Sequence, residues 1–205
     1  DLTPEWKKVR KVIDLETMAY QEYEKPEFPC LVAAKKAASL EEKMQAIVYG
    51  EDKGAKFAWK AVANNLIYAA NRIPEISDTI VDIDNAMKWG LNWELGPFET
   101  WDALGVRESV QRMEKEGEAI PPLVQSLLGS GLDSFYRREK GERSFFDLQV
   151  SDYQRVEEKP EVLLLPSLKE RDMTIRSNPG ASLIDIGDGV ACLEFHSKMN
   201  AMGPD

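Results

Sequence analysis

Asp78, Asp82 and Asp84 lie on or near one predicted helix, with positions 78 and 82 sharing a face, as ligands for a hard cation would. Glu94, Glu99 and Asp102 surround an aromatic connection, where a carboxylate with a raised pKa could act as a general base. His196, the only histidine, closes the last predicted strand beside Ser197. Trp59, Trp89, Trp93 and Trp101 could stack a ligand. Each group also has a plainer structural role. Asp78 favours a helix N-terminus, and Asp82 and Asp84 solvate the outer helix face. Glu99 and Asp102 satisfy the free N–H groups at the start of a short helix. No acidic partner stands at a useful spacing from His196, so it reads as structural or solvent-facing. The tryptophan spacings suit a core. Asn64 and Asn65 are poor helix formers in mid-helix; they read as a polar face, or as partners of a buried backbone group or another surface. No Gly-x-Gly-x-x-Gly follows a strand and no phosphate loop is present, so the chain shows no nucleotide site, no bound cofactor and no metal site of its own.

The elements that must position these residues follow from the pattern. Residues 1–50 read as a linker or tail with a short helix. Lys11–Leu15 suggests a strand, Pro26 and Pro29 break any helix there, and Ser39 with Glu42 has the capping-box spacing for a helix to about Val48. From Asp52, Ala55, Trp59, Val62, Leu66 and Ala70 mark one buried face of a helix of about twenty residues. Ser77 is the expected cap of the next helix, which buries Ile80, Ile83 and Met87 and stops at Gly90. Met87–Val106 then packs Trp89, Trp93, Trp101, three glycines and Pro97 into one connection, aromatic mass that is expected to bury itself between helices. Pro97 starts a short helix, Gly105 breaks it, Arg107–Glu116 forms another with Val110 and Met113 inward, and Pro121-Pro122 begins the last. The helical domain so defined covers 51–133. Residues 134–180 read as an antiparallel meander and a connector with one helical turn. In 181–205, Ser182–Ile186 and Val190–Phe195 flank Gly187-Asp188-Gly189, a strong hairpin signal.

With 205 residues and a net charge of −10, the chain can hold one or two domains and is a poor partner for nucleic acid. No basic block suits an anionic membrane and no apolar run is long enough to cross one. Cys30 and Cys192 lie far apart in apolar surroundings and read as free thiols, which points to a reducing, cytoplasmic compartment. Asp1 in place of a starting methionine, and an end without a closing element, suggest a piece of a longer polypeptide.

Asp82–Gly90 followed by Leu95-Gly-Pro-Phe-Glu-Thr-Trp-Asp-Ala-Leu-Gly105 resembles the C-terminal helical domain of 3-hydroxyacyl-CoA dehydrogenases, where a Met-Gly-Pro-Phe-Glu-x-x-Asp-x-x-Gly run joins two helices. The likeness covers roughly residues 52–137. It implies a mainly α fold, a helical domain like the C-terminal domain of 6-phosphogluconate dehydrogenase, followed here by the small antiparallel β region. It also implies a preceding Rossmann domain that binds NAD, and a whole enzyme that oxidises an L-3-hydroxyacyl-CoA to the 3-ketoacyl-CoA with a histidine base. Gly180–Ala201 is similar to the opening hairpin of an enoyl-CoA hydratase (crotonase) domain, with Asn200 and Ala201 standing where that family approaches CoA. Together they suggest a fused β-oxidation protein. The family's helical domain opens with Gly-Phe-(Ile/Val)-x-Asn-Arg, whose Asn belongs to the active site, whereas Trp59 occupies that place here. The resemblance therefore implies a second, non-catalytic copy of the helical domain. Its partners would be the upstream Rossmann and first helical domains, the downstream crotonase domain, the acyl-CoA substrate of the whole enzyme, or a second copy in a homodimer. The rival readings are a stand-alone dimerisation or interaction module, and a small enzyme using Glu94, Glu99 or Asp102.

Overall fold

Residues 11–139, 142–157 and 162–197 are described by the computed structural model of this protein. Its contacts separate Asp1–Trp59 from Lys60–Asp205, and the division falls within one helix. The first unit opens with a hairpin of β1 (Lys11–Ile13) and β2 (Tyr20–Glu22), antiparallel, with Ile13 opposite Tyr20. The Asp14 carboxylate accepts the N–H groups of Glu16 and Thr17 at 3.0 and 2.8 Å and so folds the turn. Pro29 starts a helix here and does not break one: it is the first residue of α1 (Pro29–Ala34), where its missing N–H would have had no helical partner.

Helix α2 (Leu40–Val48) is capped as its spacing predicts, Ser39 Oγ accepting the Glu42 N–H at 3.1 Å. The Glu42 carboxylate reaches back to the N–H of Ala38, one residue earlier than a standard capping box. Asp52 precedes α3 (Lys53–Ala70) and accepts the N–H of Ala55 at 3.0 Å. The same carboxylate accepts the Cys30 N–H at 2.7 Å and the Cys30 thiol at 3.3 Å, so Cys30 is a free, buried thiol facing a carboxylate, not an apolar wall. Burial, then Asp52, pushes that thiol's pKa up. Trp59 is buried, with the Tyr49 ring 6.2 Å away.

In the second unit, α3 continues its buried stripe with Ala63, Leu66, Ala69 and Ala70, while Val62 is only half-buried. The cap of α4 (Ile80–Leu91) is Thr79 and not Ser77. Thr79 is the residue with extended backbone directly before the helix, and its hydroxyl accepts the Asp82 N–H at 3.3 Å. Ser77 braces the cap by donating to the Thr79 carbonyl. Pro97 opens α5 (Pro97–Leu104), and Gly105, at φ +85°, turns the chain directly into α6 (Val106–Lys115). Helix α7 (Pro122–Gly129) follows its paired prolines as expected. Phe98, Trp101, Leu104, Val106, Met113, Val124, Leu127 and Phe135 form the core of this region.

The β region starts with the expected meander, β3 (Tyr136–Glu139), β4 (Glu142–Asp147) and β5 (Asp152–Arg155), paired in that order and antiparallel. After α8 (Leu165–Glu170), the expected hairpin of β7 (Ala181–Gly187) and β8 (Val190–Phe195) is extended by a third strand, β6 (Thr174–Ser177). All four residues of β6 are exposed, so it carries no alternating pattern that would mark it in the sequence. Helices with small antiparallel sheets are thus the architecture.

Candidate functional site

The polar centre of the second unit is built on the start of α5. The first N–H groups of any helix lack partners inside it. Gly96, the residue before α5, has no side chain to offer them. Asp84 supplies the cap from the neighbouring helix: its two oxygens accept the N–H groups of Phe98 at 2.9 Å and Glu99 at 3.1 Å. Glu99 completes the arrangement by accepting the Gly96 N–H at 2.9 Å. Gly96 is required there by space, since a Cβ on it would lie 2.4 Å from Asp84.

Strands β3 and β4 close the site. The Tyr136 phenol donates to Asp84 at 2.8 Å, and the Arg143 guanidinium lies over the Tyr136 ring, 3.9 Å from its centroid. Arg143 and Lys88 both donate to Oε1 of Glu99, at 2.6 and 2.7 Å. Asp102 accepts the N–H groups of Phe135 and Tyr136 at 2.6 and 2.8 Å, which ties the far half of α5 to the start of β3. The apolar partner of this clamp is aromatic. Phe98 meets Phe135 edge-on at 5.0 Å, and the Trp101 indole, next to Phe135, donates to Ser109 at 2.7 Å.

Burial pushes the Asp84 carboxyl up to about 6, against the pull of its three donors. Asp102 is likewise raised to about 6 by burial, opposed by the Phe135 and Tyr136 N–H groups, with the Asp84 charge adding to the rise. Glu99 is half-buried, yet Lys88, the Gly96 N–H and Arg143 outweigh the cost of that burial and hold it below the usual carboxylate range. Burial and the neighbouring Asp84 carry the Tyr136 phenol well above its ordinary value. A carboxylate near 6 has a pKa suited to proton transfer. Asp84 nevertheless is only 1% exposed, and its donors all come from this chain, so no substrate atom can approach it. The network is a clamp joining α4, α5, β3 and β4.

Several expectations are corrected by this arrangement. Asp84 does not solvate an outer face; it is the most deeply buried carboxylate of the clamp. Asp102 does not cap the start of α5; Asp84 does, from a distance in sequence. Trp59 and Trp101 are core residues, but Trp89 is 78% and Trp93 38% exposed, so the connection buries only one of its three tryptophans. Glu94 and Asn64 are exposed, and Asn65 is half-buried, in keeping with a polar helix face. His196 is exposed and lies 3.1 Å from the buried Ser182 hydroxyl, which itself lies 2.9 Å from Ser177. Among the described residues no group of histidine, cysteine and carboxylate side chains could hold a metal ion, Asp78, Asp82 and Asp84 included. Nor, among them, is any helix long and apolar enough to cross a membrane. Asn200 and Ala201 lie outside the described residues. Sequence reasoning placed Asp84 on the wrong face and missed Lys88, Tyr136 and Arg143. A signal for Asp84 was present: it stands four residues after Ile80, on the stripe that Ile80, Ile83 and Met87 define.

The Gly96-Pro-Phe-Glu-x-x-Asp102 run is therefore spent on this clamp, and comparison with known proteins places the whole chain. Over 193 residues, 94% of its length, it is 42% identical to "Probable 3-hydroxyacyl-CoA dehydrogenase" of Bacillus subtilis (strain 168). The chain is homologous to part of that protein. The match spans 24% of that curated relative, so the chain corresponds to about a quarter of it. Over 94 residues, 45% of the chain, it is also 31% identical to "Putative fatty acid oxidation complex trifunctional enzyme" of Rickettsia felis, covering 11% of that protein. The protein of the same name from Rickettsia prowazekii is 30% identical over 94 residues. No family model and no solved structure matches the chain.

Proposed function

We propose that this chain is the second, non-catalytic copy of the dehydrogenase-type helical domain in a fused β-oxidation polypeptide, together with the opening of a crotonase-type domain. The whole polypeptide would oxidise an L-3-hydroxyacyl-CoA to the 3-ketoacyl-CoA with NAD and carry an enoyl-CoA hydratase activity; this part would pack and orient its neighbours. The observation that carries the reading is the occupancy of the Gly-Pro-Phe-Glu-x-x-Asp run. Glu99 and Asp102 each accept only donors of this chain, and the buried Trp59 stands where the family's active-site Asn belongs. The small-enzyme alternative loses its two best carboxylates to the same contacts.

The residues present do not fit a dinucleotide cofactor. No glycine-rich turn joins a strand to a helix among the described residues, and α4, α5 and α6 follow one another without an intervening strand. NAD chemistry belongs to another part of the polypeptide in this reading, and no step is routed through this chain. The test compares NAD reduction by the whole polypeptide and by residues 1–205 with an L-3-hydroxyacyl-CoA. The expected result is turnover by the former alone. Turnover by residues 1–205, or none by the whole polypeptide, would overturn the reading.

A second reading, a stand-alone interaction module, draws support from one observation: Trp89, Leu91 and Trp93 expose a short apolar run. It requires that residues 1–205 dimerise by themselves, which sedimentation would show.

A further inference from the structure

Ser182 on β7 is only 4% exposed, and its hydroxyl lies 2.9 Å from the Ser177 hydroxyl and 3.1 Å from Nε2 of His196. One partner would satisfy a buried hydroxyl. This one has two, and both reach the surface, since Ser177 and His196 are exposed. An exposed hydroxyl is thereby joined to an exposed imidazole through a buried one. The ladder fixes this line of atoms. Ser177 faces Ser182 in the register of β6 and β7. The adjoining pair carries the backbone hydrogen bond, the Asn178 N–H donating to the Ala181 carbonyl at 2.9 Å. Ser177 and Ser182 therefore form a non-hydrogen-bonded pair, the kind whose side chains stand closest. Asn178 Oδ1 accepts the N–H groups of Gly180 and Ala181 at 2.9 and 2.7 Å and holds the turn between the two strands. His196 follows β8, and its backbone N–H donates to the Gly180 carbonyl at 3.0 Å, which anchors the residue beside Ser182. Strand β6 is at the edge of its sheet, so Ser177 can be approached from the side.

We propose that Ser177 is an acyl-acceptor site, activated by His196 through Ser182, for activated acyl donors of the thioester or aryl-ester class. A serine hydroxyl is a weak nucleophile until a base takes its proton. With the imidazole proton on Nδ1, Nε2 of His196 accepts from Ser182, and Ser182 accepts from Ser177. Ser177 Oγ attacks the carbonyl carbon of the donor and forms an ester bond. Its proton passes to Ser182 as the Ser182 proton passes to His196 Nε2. The bond from the carbonyl carbon to the leaving group breaks, and the departing thiolate or phenolate takes the proton from His196. The products are O-acyl-Ser177 and a free thiol or phenol. Ser177 touches the donor; Ser182 and His196 act through it. An open strand edge suits the acceptance of one acyl group, because it lacks the enclosing walls that selective turnover needs. Nothing in this chemistry depends on the dehydrogenase reading.

The test treats the whole polypeptide with p-nitrophenyl acetate and follows acetylation of Ser177 by peptide mass spectrometry. The same serine in urea-unfolded protein is the reference. Native Ser177 should acetylate roughly a hundredfold faster than the reference, the low end of what a positioned general base contributes. His196→Gln replaces the base by an amide that can still accept the Ser182 hydroxyl, at an exposed position that the fold tolerates. It should return Ser177 to the reference rate. Ser182→Ala should do the same, and Ser182→Thr, which restores the hydroxyl, should recover most of the rate. Equal rates in native and unfolded protein would overturn the proposal, as would a native rate that survives His196→Gln. A rate kept in Ser182→Ala, or lost equally in Ser182→Thr, would overturn the relay through that hydroxyl. If Ser182→Ala fails to fold, His196→Gln decides alone.

Discussion

Asp84 on α4 accepts the backbone N–H of Phe98 on α5 at 2.9 Å, so one helix caps the next through a side chain fourteen residues away. The same carboxylate holds the Glu99 N–H and the Tyr136 hydroxyl. Asp84→Asn keeps the volume but replaces one acceptor oxygen by a donor, which leaves at least one buried donor unsatisfied. The expected cost is about 2–3 kcal/mol. Tyr136→Phe removes one donor and leaves both backbone bonds intact, so it should cost only about 1 kcal/mol. Urea unfolding of the two variants checks the order; equal costs would mean that Asp84 acts through the phenol and not through the helix start.

Gly96 and Gly90 should respond to alanine with opposite signs. Gly96 has φ −74°, which any residue adopts, but a Cβ there would sit 2.4 Å from the Cα, Cβ and Cγ of Asp84. Gly96→Ala must push α4 and α5 apart and should cost roughly 1–3 kcal/mol or more. Gly90 lies inside α4, and a Cβ on it would meet nothing within 4 Å. Gly90→Ala should stabilise by about 0.5–1 kcal/mol through helix propensity. Melting temperatures that move in opposite directions are the expected outcome.

Most of this framework was legible in the sequence where one residue decides a local event. Pro97 starts α5, Gly105 ends it, Ser39 caps α2, and Gly187-Asp188-Gly189 turns β7 into β8. Pattern reading failed where the deciding partner is distant. Asp84 looks like a surface acid because its charge outweighs its place on the Ile80 stripe, and nothing in residues 80–91 shows that α5 begins beneath it. Trp89 and Trp93 look like core residues because aromatic content counts toward burial, yet Trp89 sits in the exposed last turn of α4 and Trp93 follows the left-handed Asn92 that ends it. The clamp was half visible: Glu99 and Asp102 could be seen, whereas Tyr136 and Arg143 come from strands more than thirty residues later and carry no local mark.

The tryptophans separate core from surface directly. Trp101 has no exposed surface and donates to Ser109, so Trp101→Ala should cost about 3–5 kcal/mol, chiefly through the cavity, since the Ser109 hydroxyl keeps its bond to the Val106 carbonyl. Trp89→Gln, at a position 78% exposed, should change stability by no more than about 0.5 kcal/mol. Thermal unfolding measures both, and a large loss at Trp89 would place that ring in a contact that the fold does not show.

Asp84 and Asp102 should make the protein less stable as the pH rises from 5 to 7. Both carboxyls are raised to about 6 in the folded state, from an ordinary value of 3.8. Between those values the folded protein holds more protons than the unfolded chain, so stability is highest below the ordinary value and is lost as pH climbs through 6. Over pH 5 to 7 each group should contribute a fall of roughly 1 kcal/mol. Glu99, held below its ordinary 4.5, contributes the opposite dependence, but only as pH falls below that value, so it does not mask the trend. Chemical denaturation at pH 5 and pH 7 should give a difference of about 2 kcal/mol for the wild type, reduced to about 1 in Asp84→Asn, which cannot titrate. An unchanged difference in the variant would show that Asp84 is already ionised at pH 5, its three donors having outweighed its burial.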